Sequence, residues 1–163
     1  MHEHQNNKEA VNIVIFTLAG DYFAVDVKNI REILMFREIS PIPKTPSFIE
    51  GVINLRGHII GIVDLRKYFD LKVSPTDKDT RIMIVRLKDA LLGLIVDSVI
   101  EVVSLTREAI ESAPAVVSSQ IDNNLVSSVA KIGDNMVMIL DLESVLGEEQ
   151  VKHLVEIRNT PRL

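Results

Sequence analysis

The sequence predicts an all-β protein, and three observations carry that reading. Apolar residues make up 47% of the 163 positions, yet aromatics make up only 4% and tryptophan is absent. The interior must therefore be filled by Ile, Val and Leu, and β-branched side chains suit a pleated surface better than a helix. The apolar residues come in short runs parted by tight turns, such as Ala19-Gly20-Asp21 and Gly133-Asp134-Asn135, which is how hairpins read. The chain also echoes itself. Ile62-Val63-Asp64-Leu65 returns as Ile139-Leu140-Asp141-Leu142, 77 residues on (141 − 64), and the hairpin ending at Asp26 is echoed by one ending at Asp97, 71 residues on (97 − 26). Two such offsets in chain order predict two related halves, about 11–71 and 81–142, intertwined or side by side. Small β units avoid open edges by closing into barrels, so two small packed barrels are expected.

The elements follow in order. Residues 1–10 (MHEHQNNKEA) read as a disordered tail, too polar for a secretory signal, and His2 and His4 lack further metal ligands. Residues 11–18 and 22–27 form a hairpin around the glycine turn. In 28–34 (KNIREIL), Ile30, Ile33 and Leu34 stand at helical spacing, which predicts a helical turn or two. Pro41, Pro43 and Pro46 exclude a helix from the next stretch and leave an edge strand or ordered loop.

The most informative stretch is 46–71, PSFIEGVINLRGHIIGIVDLRKYFDL. It runs from a short amphipathic segment at 48–53 through a polar loop, Asn54-Leu55-Arg56-Gly57, into a strand at 58–63. Asp64 then stands ready to cap a short helix at 65–69. Arg56 falls at a surface junction beside a glycine that permits unusual backbone angles. Residues 72–80 (KVSPTDKDT) are a linker or surface loop. A strand follows at 81–87, at least one more within 91–103, an ambiguous segment at 108–120, and a second hairpin over 125–142. From Glu143 the chain turns helical to about 158, with Leu146, Val151, Leu154 and Val155 on one face.

Function classes narrow quickly. Eighteen basic against 23 acidic residues give a net charge of −5, scattered rather than clustered, which argues against a phosphate-backbone binder. Cysteine is absent, which removes disulfides and thiolate chemistry. No apolar run reaches the ~20 residues that span a bilayer. There is no Gly-x-Ser-x-Gly elbow, phosphate loop or His-Glu-x-x-His zinc helix, so no catalytic residue, metal or cofactor is expected. His58 and His153 have no obvious partners, and capping explains Asp26, Asp64, Asp97 and Asp141. Small barrels can bind single-stranded nucleic acid, but the aromatics Phe16, Tyr22, Phe23, Phe36, Phe48, Tyr68 and Phe69 lie mostly in apolar runs and read as core. A surface for protein partners remains.

Gly-Val-Ile-Asn-Leu-Arg-Gly followed by Ile-Val-Asp-Leu-Arg resembles the CheW family of chemotaxis coupling proteins. Phe-Thr-Leu (16–18), Val-Asp-Val-Lys-Asn-Ile-Arg-Glu-Ile, Ile-Pro-Lys-Thr-Pro, Leu-Ile-Val-Asp-Ser-Val and Ser-Leu-Thr (104–106) fall in family order, so the resemblance covers nearly the whole chain. It implies two five-stranded SH3-like barrels in one domain over 11–158. It also implies a non-enzymatic adaptor, cytoplasmic and recruited to membrane-associated receptor arrays. The partners implied are methyl-accepting chemoreceptors and the regulatory domain of the histidine kinase CheA. The positions matching the receptor groove are Ile30, Glu32, Gly51, Asn54, Arg56, Gly57 and Ile59, and kinase contact is assigned to Phe36, Ile39 and Ile42. Each has an ordinary alternative: core for Ile30 and Ile59, a solvated charge for Glu32 and Arg56, a helix stop for Gly51. Some relatives carry a bulky aromatic near 114–119, where this chain has Val116 and Val117. No receiver, phosphotransfer or ATP-binding domain is expected. An adaptor of the same fold serving another pathway, such as surface motility, stays open, as does a small nucleic-acid-binding barrel.

Overall fold

In the computed structural model, residues 10–87, 89–112 and 126–146 are described. Strands β1 (Ala10–Leu18) and β2 (Asp21–Asp26) form the expected first hairpin, with Phe16 opposite Phe23. A 3-10 turn, Val27–Asn29, leads into β3 (Ile30–Met35). The helix expected over 28–34 is thus confined to one turn. Ile30, Glu32 and Leu34 are half-buried while Arg31, Ile33 and Met35 face solvent. That period of two serves a strand paired to β6, with a bulge between Ile30 and Glu32.

The amphipathic segment is β4 (Ile49–Leu55), and it pairs with β5 (His58–Asp64). The polar loop shrinks to a two-residue turn, Arg56-Gly57, because Asn54 and buried Leu55 belong to β4. Helix α1 (Leu65–Tyr68) is capped by Asp64, whose Oδ1 accepts the Arg66 N–H at 2.9 Å. Then come β6 (Arg81–Leu87), β7 (Ala90–Val96) and β8 (Ser98–Thr106), so the run at 91–103 holds parts of two strands. A second 3-10 turn, Arg107–Ala109, joins β8 to β9 (Ile110–Ser112). The last hairpin is β10 (Val126–Ile132) and β11 (Asn135–Leu140), followed by α2 (Leu142–Leu146). The tail at 1–9, Val116, Val117, His153 and the helix expected beyond 146 lie outside the described residues.

The strands make two sheets, one ordered β8-β1-β2-β11-β10-β9 and the other β3-β6-β7-β5-β4. In each sheet the chain itself links the two edge strands. In the larger sheet the edge strands β8 and β9 are consecutive in the chain, joined by the turn at 107–109. In the smaller one, the chain leaving β3 crosses to the far edge, where Ser40 pairs with Val52 on β4. Matching β1 to β5 with β6, β7, β8, β10 and β11 turns one order into the other. The two halves are therefore alike and have exchanged their first hairpins: β1–β2 sits with strands from beyond residue 80, and β6–β7 with strands from before residue 72.

That exchange sets the packing. Ile53, Leu55, Ile60, Ile62, Ile82, Ile84 and Ile95 fill the five-stranded barrel. Ile13, Ile15, Ala24, Ala130, Val137 and Ile139 fill the six-stranded one. The alternate residues of the same strands, Val14, Phe16 and Leu18 on β1 and Met83, Val85 and Leu87 on β6, meet in a third core shared by both barrels. The swapped strands are thus apolar on both faces, as the sequence's continuous apolar runs require. Phe16, Phe23 and Phe69 stack there with centroids 6.1 and 5.9 Å apart, and none of the seven aromatics is exposed. No helix of the described residues is long and apolar enough to cross a membrane.

Candidate functional site

The tip of the β4–β5 hairpin displays Arg56. Its φ of 51° and that of Gly57, 89°, both lie in the left-handed region, which makes the tight turn that brings the strands together. Asn54 Oδ1 braces the turn by accepting the Gly57 N–H at 2.9 Å, while its backbone carbonyl accepts from Arg37 Nη2 at 3.4 Å. The Arg56 side chain is 65% exposed and ion-pairs with Glu32 on β3, which is 27% exposed. The pair joins the hairpin tip to the barrel's other edge strand, 24 residues earlier in the chain. Neither residue type nor spacing could have announced that contact.

The other expected groove residues divide. Ile59 is half-buried opposite Asn54. Ile30 packs against the shared core, two residues before Glu32. Gly51 is no helix stop. It lies in β4 at a bulge, with a φ of 140°, and a Cβ there would come within 1.9 Å of the Ser40 carbonyl oxygen. Glycine is required because the crossing chain from β3 presses on it. Phe36 and Ile39 are half-buried against the five-stranded core, and Ile42 against the shared core. Their neighbours Ile33 and Met35 are exposed, at 39% and 72%, although helical spacing groups Ile33 with Ile30 and Leu34 on one apolar face. The signal was present as period-two alternation, but the helical spacing of the same residues masked it.

The four repeated aspartates all accept backbone N–H groups: Asp26 from Lys28, Asp64 from Arg66, Asp97 from Ala19 and Asp141 from Glu143, at 2.7 to 3.1 Å. His58 is exposed at the start of β5. No cluster of three potential metal ligands occurs among the described residues. The hairpin tip is built to present a cation beside a carboxylate, an arrangement suited to recognising a polar partner surface.

A family model for the CheW-like domain matches residues 12–150. The chain is 31% identical over 147 residues to the chemotaxis protein CheW of Helicobacter pylori, covering 90% of this chain and 88% of that one. It is 32% identical over 138 residues to the chemotaxis protein CheW of Klebsiella aerogenes, covering 85% and 82%. Among solved structures, the scaffolding protein TtCheW of Thermoanaerobacter tengcongensis superposes with a TM-score of 0.79 at 38% identity, covering 86% of this chain and 94% of that one.

Proposed function

The chain belongs to the CheW-like domain family, and from that premise we propose that it is a non-enzymatic adaptor coupling chemoreceptors to a histidine kinase. One partner is the cytoplasmic tip of a methyl-accepting receptor, and the other is the regulatory domain of CheA. The adaptor acts in the cytoplasm at receptor arrays and needs no cofactor. Its mechanism is thermodynamic: binding both partners raises their effective concentration, and receptor state then biases the kinase through differential contacts.

The observation that carries this reading is Arg56, held out on a left-handed turn beside Glu32. Its planar fork can bind a carboxylate or carbonyl on a receptor helix. Asn54 and Gly57 keep the turn in shape, Glu32 pairs with Arg56, Ile59 lies opposite Asn54, Ile30 stands two residues before Glu32 on β3, and Gly51 fixes the strand behind the turn. Kinase contact is assigned to the segment after β3, through the accessible parts of Phe36, Ile39 and Ile42. Co-sedimentation with purified receptor tips and kinase tests the proposal. Arg56→Ala should fold as the parent does, lose receptor pull-down and abolish receptor-dependent kinase activation. Unchanged receptor binding would refute the assignment of Arg56, and no effect of the parent protein on kinase activity would refute the adaptor role.

A further inference from the structure

Arg66 takes no part in the candidate site, yet its side chain is only 4% exposed. Its Nε and Nη2 donate to Asp64 Oδ1 and Oδ2 at 2.9 and 3.0 Å, and its Nη1 donates to Asp97 Oδ1 at 2.6 Å and to the Ser74 carbonyl at 3.4 Å. Asp97 is shared. Its other oxygen, Oδ2, accepts the backbone N–H of Ala19, in the β1–β2 turn of the six-stranded barrel, at 2.7 Å. One carboxylate thus holds α1 of the five-stranded barrel with one oxygen and a turn of the other barrel with the second.

Its place in the chain gives this arrangement its meaning. Among the described residues the chain passes from one sheet to the other twice, after Asp26 and after Asp97, and these two aspartates are counterparts in the internal repeat. The crossings are not held alike. The counterpart of Arg66, 77 residues on (143 − 66), is Glu143, which as a carboxylate cannot donate to Asp26. Asp26 has instead Lys28, whose Nζ lies 3.8 Å away with its side chain 79% exposed, a contact that solvent screens. A guanidinium can bridge two carboxylates with fixed geometry where a lysine cannot.

We propose that the Asp64–Arg66–Asp97 cluster is an orientational lock between the two barrels, and that the crossing at 26–29 is their compliant joint. Reorientation of one barrel against the other pivots about Asp97 and is taken up where β3 begins. The lock is independent of which partners the protein binds.

The chain has no cysteine, so two spin labels can be placed at Arg86→Cys on β6 and Lys131→Cys on β10, one exposed site on each barrel. The parent should give one narrow distance distribution. Arg66→Lys, which keeps the charge and loses the fork, should broaden it about twofold, as released rigid-body motion does. Asp97→Asn leaves the Arg66–Asp64 pair intact and should broaden it in the same sense, which covers failure of the first variant to fold. Hydrogen exchange on the parent gives a further reading, with amides at 27–30 exchanging about tenfold or more faster than those at 97–99. A distribution unchanged in both folded variants, or equal protection at the two crossings, would overturn the lock.

Discussion

Arg56 and Arg66 stand ten residues apart in the same stretch and meet opposite fates. Arg56 sits at a φ of 51°, where a residue with a Cβ is strained by roughly 1–2 kcal/mol and asparagine is tolerated better. Its exposed pair with Glu32 returns at most about 1 kcal/mol. Arg56→Asn should therefore leave the melting temperature within a few degrees of the parent or raise it, while removing the cationic fork. A thermal melt showing a larger loss would make the ion pair a structural brace. Arg66 behaves the other way. Burial lowers its pKa, but hydrogen bonds to Asp64 and Asp97 and their negative charges more than reverse this, and the group is held above the ordinary arginine value. A raised folded pKa gives stability that is complete below the unfolded pKa and lost only as pH climbs through the folded one, so between pH 6 and 9 the Arg66 guanidinium stays charged and its contribution is constant. Arg66→Met leaves the buried carboxylate of Asp64 and the half-buried one of Asp97 without their shared cation and should cost about 3–5 kcal/mol in urea unfolding at neutral pH. Sequence marked Arg56 through its turn and family motif. It could not mark Arg66, because Asp97 lies 31 residues away and only the hairpin exchange brings it close.

At the scale of elements, what the sequence makes legible is whatever is local. Both outer hairpins and the capped helix after β5 follow from turn residues and short apolar runs within fewer than about twenty positions. The strand β3 was obscured because KNIREIL satisfies helical and strand periods together, and only pairing with β6, some fifty residues later, decides between them. Gly51 shows the same limit. Nothing nearby reveals that Ser40 will cross and press on it, exchanging hydrogen bonds with Val52 at 2.9 and 2.8 Å. Gly51→Ala should be among the costly small substitutions, since a Cβ meets immovable backbone and the φ of 140° is closed to alanine. We expect a loss of about 2–4 kcal/mol by denaturant unfolding, together with faster amide exchange at Ser40 and Val52. Gly93 provides the contrast, because a Cβ there meets the flexible end of Ile62 and not backbone. Gly93→Ala should cost less than Gly51→Ala.

At the scale of the molecule, the exchange of hairpins makes the two halves depend on each other. Of nine strand pairings among the described residues, four join the halves: β1 with β8, β2 with β11, β3 with β6 and β5 with β7. Neither half owns a complete barrel. The core shared between the barrels likewise draws Phe16, Phe23 and Ile49 from one half and Met83, Leu94 and Leu140 from the other. A chain broken in the exposed loop between Pro75 and Thr76 should then behave unlike a cut between independent domains. Expressed together, the fragments 1–75 and 76–163 should co-purify as a one-to-one complex and melt in a single transition. Expressed alone, each exposes unpaired strand edges and half a core, and should be aggregated or unfolded. Native mass spectrometry and circular dichroism on the separated pieces distinguish the cases. If either fragment alone were monomeric and melted cooperatively, the halves would be self-sufficient and the exchanged hairpins would not be what holds the fold together.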